Sequence, residues 1–486
     1  MDKLEIIKQK DAIIKQVSQY APPLKPFLEM EKTLGEYSRT LYDYKVDPVH
    51  IERQKPIKEK VKNRFKTLFP KDYNQLNIAL DDVYAINIAD HHQVLNHPFL
   101  IPDNFISNVD KFFAEEKQKA IVVISSGDVP PNNFFSRSGF QFHGKVAPLF
   151  SVSERESTSF YLPKRNFNFV ERLKNIERWK EFTPEEQKFL EEEQQRFDSQ
   201  DFSLCKDYSD QITVLVKNTW PLLFEEKMRA NLPELLYITQ EELTAQCLID
   251  LLEEDNFVSA CLFDNQFQEQ VLNNFRGIVT TWDEKIPKGT HFFWRKYPER
   301  SHSLRMWVEE SRLVPADERF RDLSIPLEKK AIINALKSKE IYPSLFMIFT
   351  VLDYYAGIRP LTGYGSVVYL NLFHKAWLKT LENSRFANEI PLVEPIHANG
   401  LIGGIPCFFK RIDNQLKTLY AADVIYEGGM ETDYLKRICE IPFKDLFSIA
   451  ACDLYWYISG KYVPPQERID VKITMDEIAP LILDYL

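Results

Sequence analysis

The sequence predicts an α/β fold in which a parallel sheet is accompanied by a helical insertion. Two short apolar runs, at residues 83–89 and 120–124, are typical of buried strands, and the stretch 99–113 between them has the apolar rhythm of a helix. A strand, a helix and a strand of these lengths form a βαβ unit with parallel strands. Further along, a Thr-Pro-Glu-Glu sequence at residues 183–186 is typical of a helix start and opens a long charged stretch.

Composition restricts the classes of protein to which the chain can belong. With 486 residues it is long enough for two or three domains, and 44% hydrophobic residues exclude a largely disordered chain. The 61 Lys and Arg residues against 71 Asp and Glu give a net charge of −10. This charge does not favour a nucleic-acid coat protein or a peripheral membrane binder, so we expect neither nucleic acid nor membrane among the partners.

The cysteines and the apolar runs predict a cytoplasmic protein. None of the six cysteines is in Cys-x-x-Cys spacing, and most lie among apolar residues, as is typical of reduced and buried thiols. Three of the first five residues are charged and no long apolar segment follows them, which does not fit a signal peptide. No run approaches the roughly 18 apolar residues that a membrane-spanning helix requires.

Changes in sequence character divide the chain into four predicted segments. Residues 1–74 are polar and helical, and residues 75–164 contain the βαβ unit and form the first part of the core. Residues 165–275 are helical and charged, which predicts a helical insertion or accessory domain. Residues 276–486 are mixed and are expected to complete the core and its cleft, and two runs between residues 289 and 308 have the pattern of paired strands.

The most unusual string of the sequence follows the first predicted strand. It contains Asp90, His91, His92 and His97, and imidazole and carboxylate groups suit zinc, iron or manganese. Adjacent histidines point in different directions on regular structure, so at most one of His91 and His92 would join His97. A metal site would then need a further ligand from Asp128 or His143. Hydrogen bonding to a substrate or phosphate, and structural capping of the strand end, are the other two interpretations.

A stiff polar loop follows the second predicted strand. Two prolines stiffen it, and Asp128, Asn132, Asn133 and Arg137 offer hydrogen-bond acceptors, donors and one fixed positive charge. In open α/β sheets ligands bind at the carboxyl ends of the strands, where both this loop and the histidine string are expected. The alternative is a well-bonded turn, because Asn and Asp are ordinary turn residues.

A third candidate is the turn at residues 359–366, where Gly363 and Gly365 are separated by one residue in a chain with only 15 glycines. Two glycines so close together would let backbone N–H groups approach a phosphate or carboxylate, with Arg359 as the counter-charge. No Gly-Lys-Ser or Gly-Lys-Thr follows, so the turn is not a Walker loop. A tight turn between a helix and a strand is the competing interpretation.

The string His-Gln-Val-Leu-Asn-His-Pro at residues 92–98 is similar to a motif of the bacillithiol synthase family, whose members are cysteine ligases. In that family a Gln-rich string with a Gly-Pro pair ends the first strand of a Rossmann-like core. Gln93 and Pro98 match this string, and His97 stands in place of the glycine. The acidic string that the family carries after a later strand is matched here only by residues 126–128.

A second motif of the same family is a Gly-rich turn that leads into a strand or helix with Ala-Tyr-Trp. Residues 361–369 resemble it, with Gly363, Gly365 and Tyr369 matching, and the matching blocks together cover under a third of the chain. The resemblance implies a Rossmann-like core and a ligand site near Gln93 and Gly363.

These motifs lead us to expect an enzyme that performs nucleotide-linked ligation or group transfer on a small polar metabolite, with ATP or ADP as its cofactor. His92 or His97 would stabilise developing negative charge, and Asp128 would act as a base or as a metal-binding carboxylate. Arg359 would bind an anion. The other residues expected to contact substrate or cofactor are Gln93, Asn132, Asn133, Arg137, Gly363 and Gly365.

Two other functions are also compatible with the sequence. A metal-dependent hydrolase would use the cluster of Asp90, His91, His92 and His97. A non-enzymatic binding or scaffold protein would present the charged helices within residues 165–255 as its partner surface.

Overall fold

The fold is mixed α/β, with a parallel sheet, an antiparallel sheet and many helices. The computed structural model describes residues 2–41, 45–73, 85–88, 90–94, 101–106, 120–131, 139–149, 158–286, 288–298, 302–396, 401–412, 414–484 and 486. The N-terminal helices are α1 (Lys3–Tyr20), α2 (Lys25–Leu28), α3 (Leu34–Thr40), α4 (Pro48–Leu68) and α5 (Pro70–Tyr73).

The remaining elements follow in chain order. After the N-terminal helices come β1 (Ala85–Asn87), α6 (Ile101–Ile106), β2 (Ala120–Ser125), β3 (Gly139–Phe142) and β4 (Lys145–Pro148). The next are α7 (Phe169–Lys174), α8 (Pro184–Asp198), α9 (Tyr208–Thr219), α10 (Glu226–Arg229), β5 (Glu234–Thr239), α11 (Gln240–Leu251), α12 (Phe257–Phe263) and α13 (Asn265–Phe275). Then follow β6 (Phe293–Lys296), β7 (Ser303–Glu309), β8 (Arg312–Pro315), β9 (Ile325–Pro326), α14 (Lys329–Lys337), β10 (Ile341–Pro343) and α15 (Leu345–Phe349). The last group is β11 (Arg359–Thr362), α16 (Tyr364–Glu382), α17 (Ile390–Val393), β12 (Leu401–Ile402), β13 (Phe409–Ile412), β14 (Gln415–Thr418), α18 (Ala421–Tyr426), α19 (Thr432–Cys439), α20 (Phe443–Asp453), α21 (Tyr455–Tyr462) and α22 (Met475–Ile482).

The parallel sheet has the order β12-β11-β1-β2-β5 among the described strands. Strands β2 and β5 pair over six residues, while β1 pairs with β11 on one side and with β2 on the other. The predicted βαβ unit is confirmed in this respect, since β1 and β2 are parallel neighbours. Because all these strands run in one direction, their carboxyl ends lie along a single edge of the sheet.

Both faces of the parallel sheet are buried. In β2, Ile121 and Val123 belong to one apolar cluster, whereas Val122 and Ile124 belong to a second cluster on the opposite face. Successive side chains of a strand point to opposite faces, so a continuous apolar run requires a core on each side. The run at residues 120–124 therefore predicted a doubly covered strand. None of the described helices is long and apolar enough to cross a membrane.

The segment 165–275 differs from the predicted helical insertion, because it contributes an edge strand to the parallel sheet. Strand β5 pairs with β2 along its whole length, and helices α9 and α11 pack against it. Leu235, Leu236, Tyr237 and Ile238 are all buried. This short apolar run between two helical stretches has the length of a strand rather than of a helix, and it ties the segment into the core.

The second sheet is antiparallel, with the order β10-β6-β7-β8-β9 among the described strands. Its central pair, β6 and β7, confirms the paired strands predicted between residues 289 and 308. Two hairpins, β3 with β4 and β13 with β14, lie outside both sheets. The antiparallel sheet matters for function because side chains from β7 and β10 reach the carboxyl edge of the parallel sheet, as described below.

Candidate functional site

A cavity of about 280 Å³ lies at the carboxyl edge of the parallel sheet. It is lined by residues that follow the strands: His91 after β1, Asp128 after β2, Gln240 after β5, Gly363 after β11 and Gly404 after β12. Side chains of α15, α16 and α21 close its other sides. The chain order of the strands reverses between β1 and β11, and open parallel sheets bind their ligands at the carboxyl side of such a point.

Asp128 is the acidic group most directly in contact with the cavity. Its carboxyl is half-buried, and burial raises its pKa to about 8. Two further influences act on this pKa: the hydroxyl of Tyr342 donates a hydrogen bond to Oδ1 and lowers it, whereas the nearby Glu241 carboxyl raises it. At neutral pH Asp128 is therefore protonated and can donate a proton.

Glu241 fixes the backbone on which Asp128 is carried. Its carboxyl is fully buried and accepts hydrogen bonds from the backbone N–H groups of Gly127 (2.8 Å) and Asp128 (3.0 Å). A Cβ atom on Gly127 would lie 2.9 Å from Glu241 Oε2, so the close approach of this backbone requires glycine. Burial raises the pKa of Glu241 to about 7 despite these bonds.

A chain of hydroxyl groups leads away from Asp128. Oη of Tyr342, which donates to Asp128, lies 2.7 Å from Oγ of Ser303, and this atom lies 3.1 Å from Oγ1 of Thr158. Tyr342 is completely buried and burial raises its pKa well above the usual value, so its hydroxyl stays protonated. Consecutive hydroxyl groups at hydrogen-bond distance can pass a proton to or from Asp128.

The first turn of α16, a helix of 19 residues, also lines the cavity. Gly363 precedes the helix without any side-chain cap, and Tyr364, Gly365 and Ser366 also line the cavity. The first N–H groups of a helix have no intrahelical partner, and together with the helix dipole they favour an anion. A Cβ atom on Gly365 would lie 2.2 Å from Oη of Tyr457, so this contact also requires glycine.

His92 does not line the cavity. Its side chain is fully buried, with Nδ1 2.7 Å from Ser125 Oγ and Nε2 2.8 Å from the Ser209 carbonyl oxygen. The ring also stacks on Tyr237 with 5.0 Å between the centroids. Burial lowers the pKa of His92 to about 4, so it is a neutral ring held by the core. The catalytic role predicted for His92 does not fit this position, because both of its ring nitrogens are already engaged.

Gln93 and Asp90 are also built into the core. The Gln93 amide donates to Ser159 Oγ at 2.9 Å and accepts from the Tyr208 hydroxyl at 2.9 Å, so it holds two segments together. Asp90 accepts a hydrogen bond from the Tyr237 hydroxyl, and burial raises its pKa to about 7. Neither residue lines the cavity, which differs from the binding role predicted for Gln93.

Arg359 lies at the wrong end of its strand for the predicted anion site. It begins β11, whereas Gly363 follows the end of that strand, roughly 13 Å further along at 3.3 Å per residue. Its Nη1 donates to the carbonyl oxygen of Leu41 at 3.0 Å, which binds the strand to the N-terminal helices. Arg359 and Gly363 are only four residues apart in the sequence, which suggested that they lie close together. The extended backbone of the strand separates them.

Of the predicted residues, Asp128, Gly363 and Gly365 come together at the cavity, and His91 joins them. The other predicted side chains, His97, Asn132, Asn133 and Arg137, lie outside the described residues. The strand ends themselves meet as expected, since the N–H of His92 donates to the Ser126 carbonyl oxygen at 2.8 Å.

Two observations on the described residues bear on the alternative functions, while His97 of the predicted metal cluster lies outside those residues. Within the described residues, no group of three or more His, Cys, Asp or Glu side chains is arranged to hold a metal ion. The helices within residues 165–255 are not all surface helices: α9 and α11 are buried on most of their faces and pack on the sheet. Charged side chains of α7, α8 and α10 are exposed in the way that the scaffold interpretation expected.

Sequence reasoning missed Gln240, Glu241 and Tyr342. The Thr-x-x-Glu sequence at residues 239–242 is typical of a helix start, and the side chain of Thr239 accepts the N–H of Glu242 at the start of α11. Recognition of the preceding apolar run as a strand would have placed Gln240 and Glu241 at a strand end, where ligands bind. Tyr342 comes from the antiparallel sheet, and no local pattern indicates that it reaches Asp128.

The chain matches none of the known protein-family models, and no curated protein matches its sequence. The resemblance to the bacillithiol synthase family therefore stays a prediction, and the geometry of the cavity carries the functional argument.

Proposed function

We propose that the chain is an enzyme that transfers or ligates a group on a small polar metabolite carrying an anionic group. The single observation that carries this proposal is that Asp128 and the N-terminus of α16 face one cavity at the carboxyl edge of the parallel sheet. The same cavity thus offers a proton donor and a site for negative charge, which is the combination that acid-base catalysis of group transfer needs.

In this proposal Asp128, which is protonated at neutral pH, donates a proton to the leaving group. The hydroxyl groups of Tyr342, Ser303 and Thr158 return Asp128 to its starting protonation state. The backbone N–H groups at the start of α16 hold the anionic group and stabilise negative charge that develops near it. Glu241 keeps the loop of Asp128 in place through its two backbone hydrogen bonds.

The nucleotide-linked part of the proposal rests on the strand order. Numbered among themselves in chain order, the described parallel strands lie in the order 3-2-1-4-5, which is typical of Rossmann-like nucleotide-binding sheets and supports assigning the chain to that class. The cavity of about 280 Å³ is near the lower limit of small-molecule pockets, roughly 300 Å³. It therefore suits a small metabolite, or the phosphate portion of ATP or ADP.

Gly363 allows a test in which folding and anion binding respond in opposite directions. A Cβ atom on Gly363 would meet nothing within 4 Å, so a side chain fits there. In Gly363→Asp the carboxylate caps α16 and leaves the melting temperature unchanged or slightly higher. The same charge repels an anion, so the affinity for inorganic phosphate, ADP or ATP should fall by at least about tenfold.

Gly363→Ser is the matched control, because it caps the helix without adding charge. Isothermal titration of inorganic phosphate, ADP and ATP into the wild-type chain and both variants measures the three affinities. We expect binding of at least one of them to the wild-type chain and to Gly363→Ser. Binding to Gly363→Asp with wild-type affinity, or no binding of any of the three to the wild-type chain, would contradict the proposed anion site.

A further inference from the structure

Two residues of the carboxyl-edge cavity carry buried oxygens that lack a hydrogen bond. Oε1 of Gln240 and Oγ1 of Thr280 have no hydrogen-bond partner among the residues that the structure describes, although both residues line the cavity. Gln240 is only 1% exposed. A buried polar atom without a partner costs free energy, so folded proteins rarely retain one without a reason.

Thr280 is also held in an unusual backbone conformation. Its φ is +77°, a left-handed conformation that is rare for any residue with a branched Cβ. The loop on either side fixes it: Oγ1 of Thr281 donates to the Phe275 carbonyl oxygen at 2.6 Å, and the Gly277 N–H donates to the Trp282 carbonyl oxygen at 2.9 Å. Strain of this kind at the wall of a cavity points to a side chain placed for binding.

The position of Gln240 is also fixed by its surroundings. It is the first residue of α11 and follows β5 directly, so its backbone position is set by both elements. Its Nε2 group lies 3.4 Å from the carboxyl of Glu241, a long hydrogen bond that occupies the donor end of the amide. The carbonyl end is left to accept a hydrogen bond from something else.

We infer that Gln240 and Thr280 recognise a hydrogen-bond donor on the molecule whose anionic group is held by α16. The donor is a hydroxyl or an ammonium group, because the Gln240 amide oxygen can only accept a hydrogen bond and the Thr280 hydroxyl can accept one from the same group. This inference rests on the proposed function and narrows its substrate class to small anions that also carry a hydroxyl or amino group. The site should bind analogues without this donor more weakly, because they would leave the oxygens of Gln240 and Thr280 without a hydrogen bond.

Matched pairs of phosphate esters test the inference by isothermal titration. Glycerol 3-phosphate and propyl phosphate share a three-carbon skeleton, and only the first has hydroxyl groups. O-phosphoethanolamine and ethyl phosphate form the corresponding pair for an ammonium group. We expect the wild-type chain to bind the donor-bearing member of at least one pair about tenfold more tightly, and the pair that shows this identifies the donor.

Two substitutions remove the acceptor oxygens. Gln240→Met keeps the length of the side chain, and Thr280→Val keeps its shape and its branched Cβ. Each variant should reduce the preference to less than about threefold by weakening the donor-bearing ester, while propyl phosphate or ethyl phosphate binds as before. Thr280→Gly is a second variant that should fold even if Thr280→Val does not, because glycine is unstrained at positive φ. The melting temperature of Thr280→Gly should be unchanged or higher, although the preference for the donor-bearing ester is lost.

The outcomes separate this inference from the proposed function. Equal affinity of the wild-type chain for both members of each pair, or a preference that survives in Gln240→Met and Thr280→Gly, overturns the role of these two residues and leaves the anion site intact. If none of the four esters binds, the proposed anion site fails and the inference fails with it.

Discussion

Asp128 is the residue on which the proposed chemistry depends, and its neighbours act on its pKa in opposite directions. Burial and the Glu241 carboxyl raise this pKa, and the hydrogen bond from Tyr342 lowers it. With a pKa of about 8, the Asp128 carboxyl is uncharged at pH 7. This pKa is still close enough to pH 7 for the group to exchange its proton during a reaction. An anion in the cavity meets a neutral Asp128 below this pH and a carboxylate above it.

Sulfate keeps a fixed charge between pH 6 and 10, so its binding reports the titration of Asp128. We expect the affinity for sulfate to fall as the pH rises through about 8, because the ionised carboxylate repels it. Tyr342→Phe removes a bond that stabilises the carboxylate and should move this fall to higher pH. Isothermal titration of sulfate at intervals of half a pH unit measures the midpoint.

Tyr161→Phe is the control for this experiment. Its ring packs against that of Tyr342, but its hydroxyl donates to the Glu340 carbonyl oxygen rather than to Asp128. This variant should leave the midpoint unchanged, and Asp128→Asn should remove the fall near pH 8. If Tyr342→Phe leaves the pH midpoint of sulfate binding unchanged, the hydrogen bond from Tyr342 does not lower the pKa of Asp128.

At the level of single residues, the sequence predicted some of the site and misassigned other parts for an identifiable reason. Asp128 and Gly363 were found because each directly follows a recognisable strand or turn. His92 was assigned to catalysis, since the sequence does not reveal that Ser125 and Ser209, 33 and 117 residues away, occupy both of its ring nitrogens. Such assignments require the tertiary partners of each polar atom.

At the level of elements, His92 is one of the residues that fasten the segment after β1 to its neighbours. Its backbone N–H bonds to Ser126, and its ring bonds to Ser125 and Ser209. His92→Ala should therefore reduce the free energy of unfolding by about 2–4 kcal/mol, through the lost hydrogen bonds and the cavity that remains. The affinity of the folded protein for inorganic phosphate should not change, because His92 does not line the cavity.

The adjacent His91 provides the contrast, since it does line the cavity and is only half-buried. His91→Ala should cost less stability than His92→Ala and affect phosphate affinity more. Urea unfolding gives the stabilities, and isothermal titration gives the affinities. If His92→Ala weakens phosphate binding while the stability is unchanged, the catalytic prediction for His92 would be restored.

The elements themselves were predictable where the pattern is local. The β1–β2 unit and the β6–β7 pair follow from apolar runs of strand length. Strand β5 was missed because charged helices flank its short run at residues 234–239, and the strand order follows from pairings between residues far apart in the chain, such as Ala85 with Arg359. No local signal encodes which strand lies next to which.

At the level of the whole molecule, buried ionisable groups set how stability depends on pH. Burial raises the pKa of Asp90 and Glu241 to about 7 and that of Asp128 to about 8, and it raises the pKa of Asp353 well above the usual value. Each of these groups is protonated in the folded state at a pH where the unfolded chain is ionised. Their contribution to stability is therefore lost as the pH rises from about 4 through the folded pKa.

Two buried histidines act in the opposite direction, but only at lower pH. Burial lowers the pKa of His92 and of His291 to about 4, so their contribution is complete above about pH 6.5 and is lost as the pH falls toward 4. Above pH 6.5 the histidines no longer change the balance, and the buried carboxyl groups dominate the slope. Lys461, whose pKa burial lowers to about 8, opposes them only from about pH 8 upward. The net charge of −10 adds self-repulsion as the buried acids ionise.

We therefore expect the ligand-free protein to be less stable at pH 8.5 than at pH 6.5. Each carboxyl group still protonated in the folded state contributes a loss of about 1.4 kcal/mol per pH unit. Burial raises the pKa of Asp353 well above its usual value, and its Oδ1 has no hydrogen-bond partner in the described part of the chain. Asp353→Asn should make the slope shallower by up to that amount, whereas Asp470→Asn, at an exposed side chain, should not change it. Urea unfolding midpoints at pH 6.5, 7.5 and 8.5 measure the three slopes, and a midpoint that rises with pH in the wild-type chain would show that these acids are ionised in the folded protein.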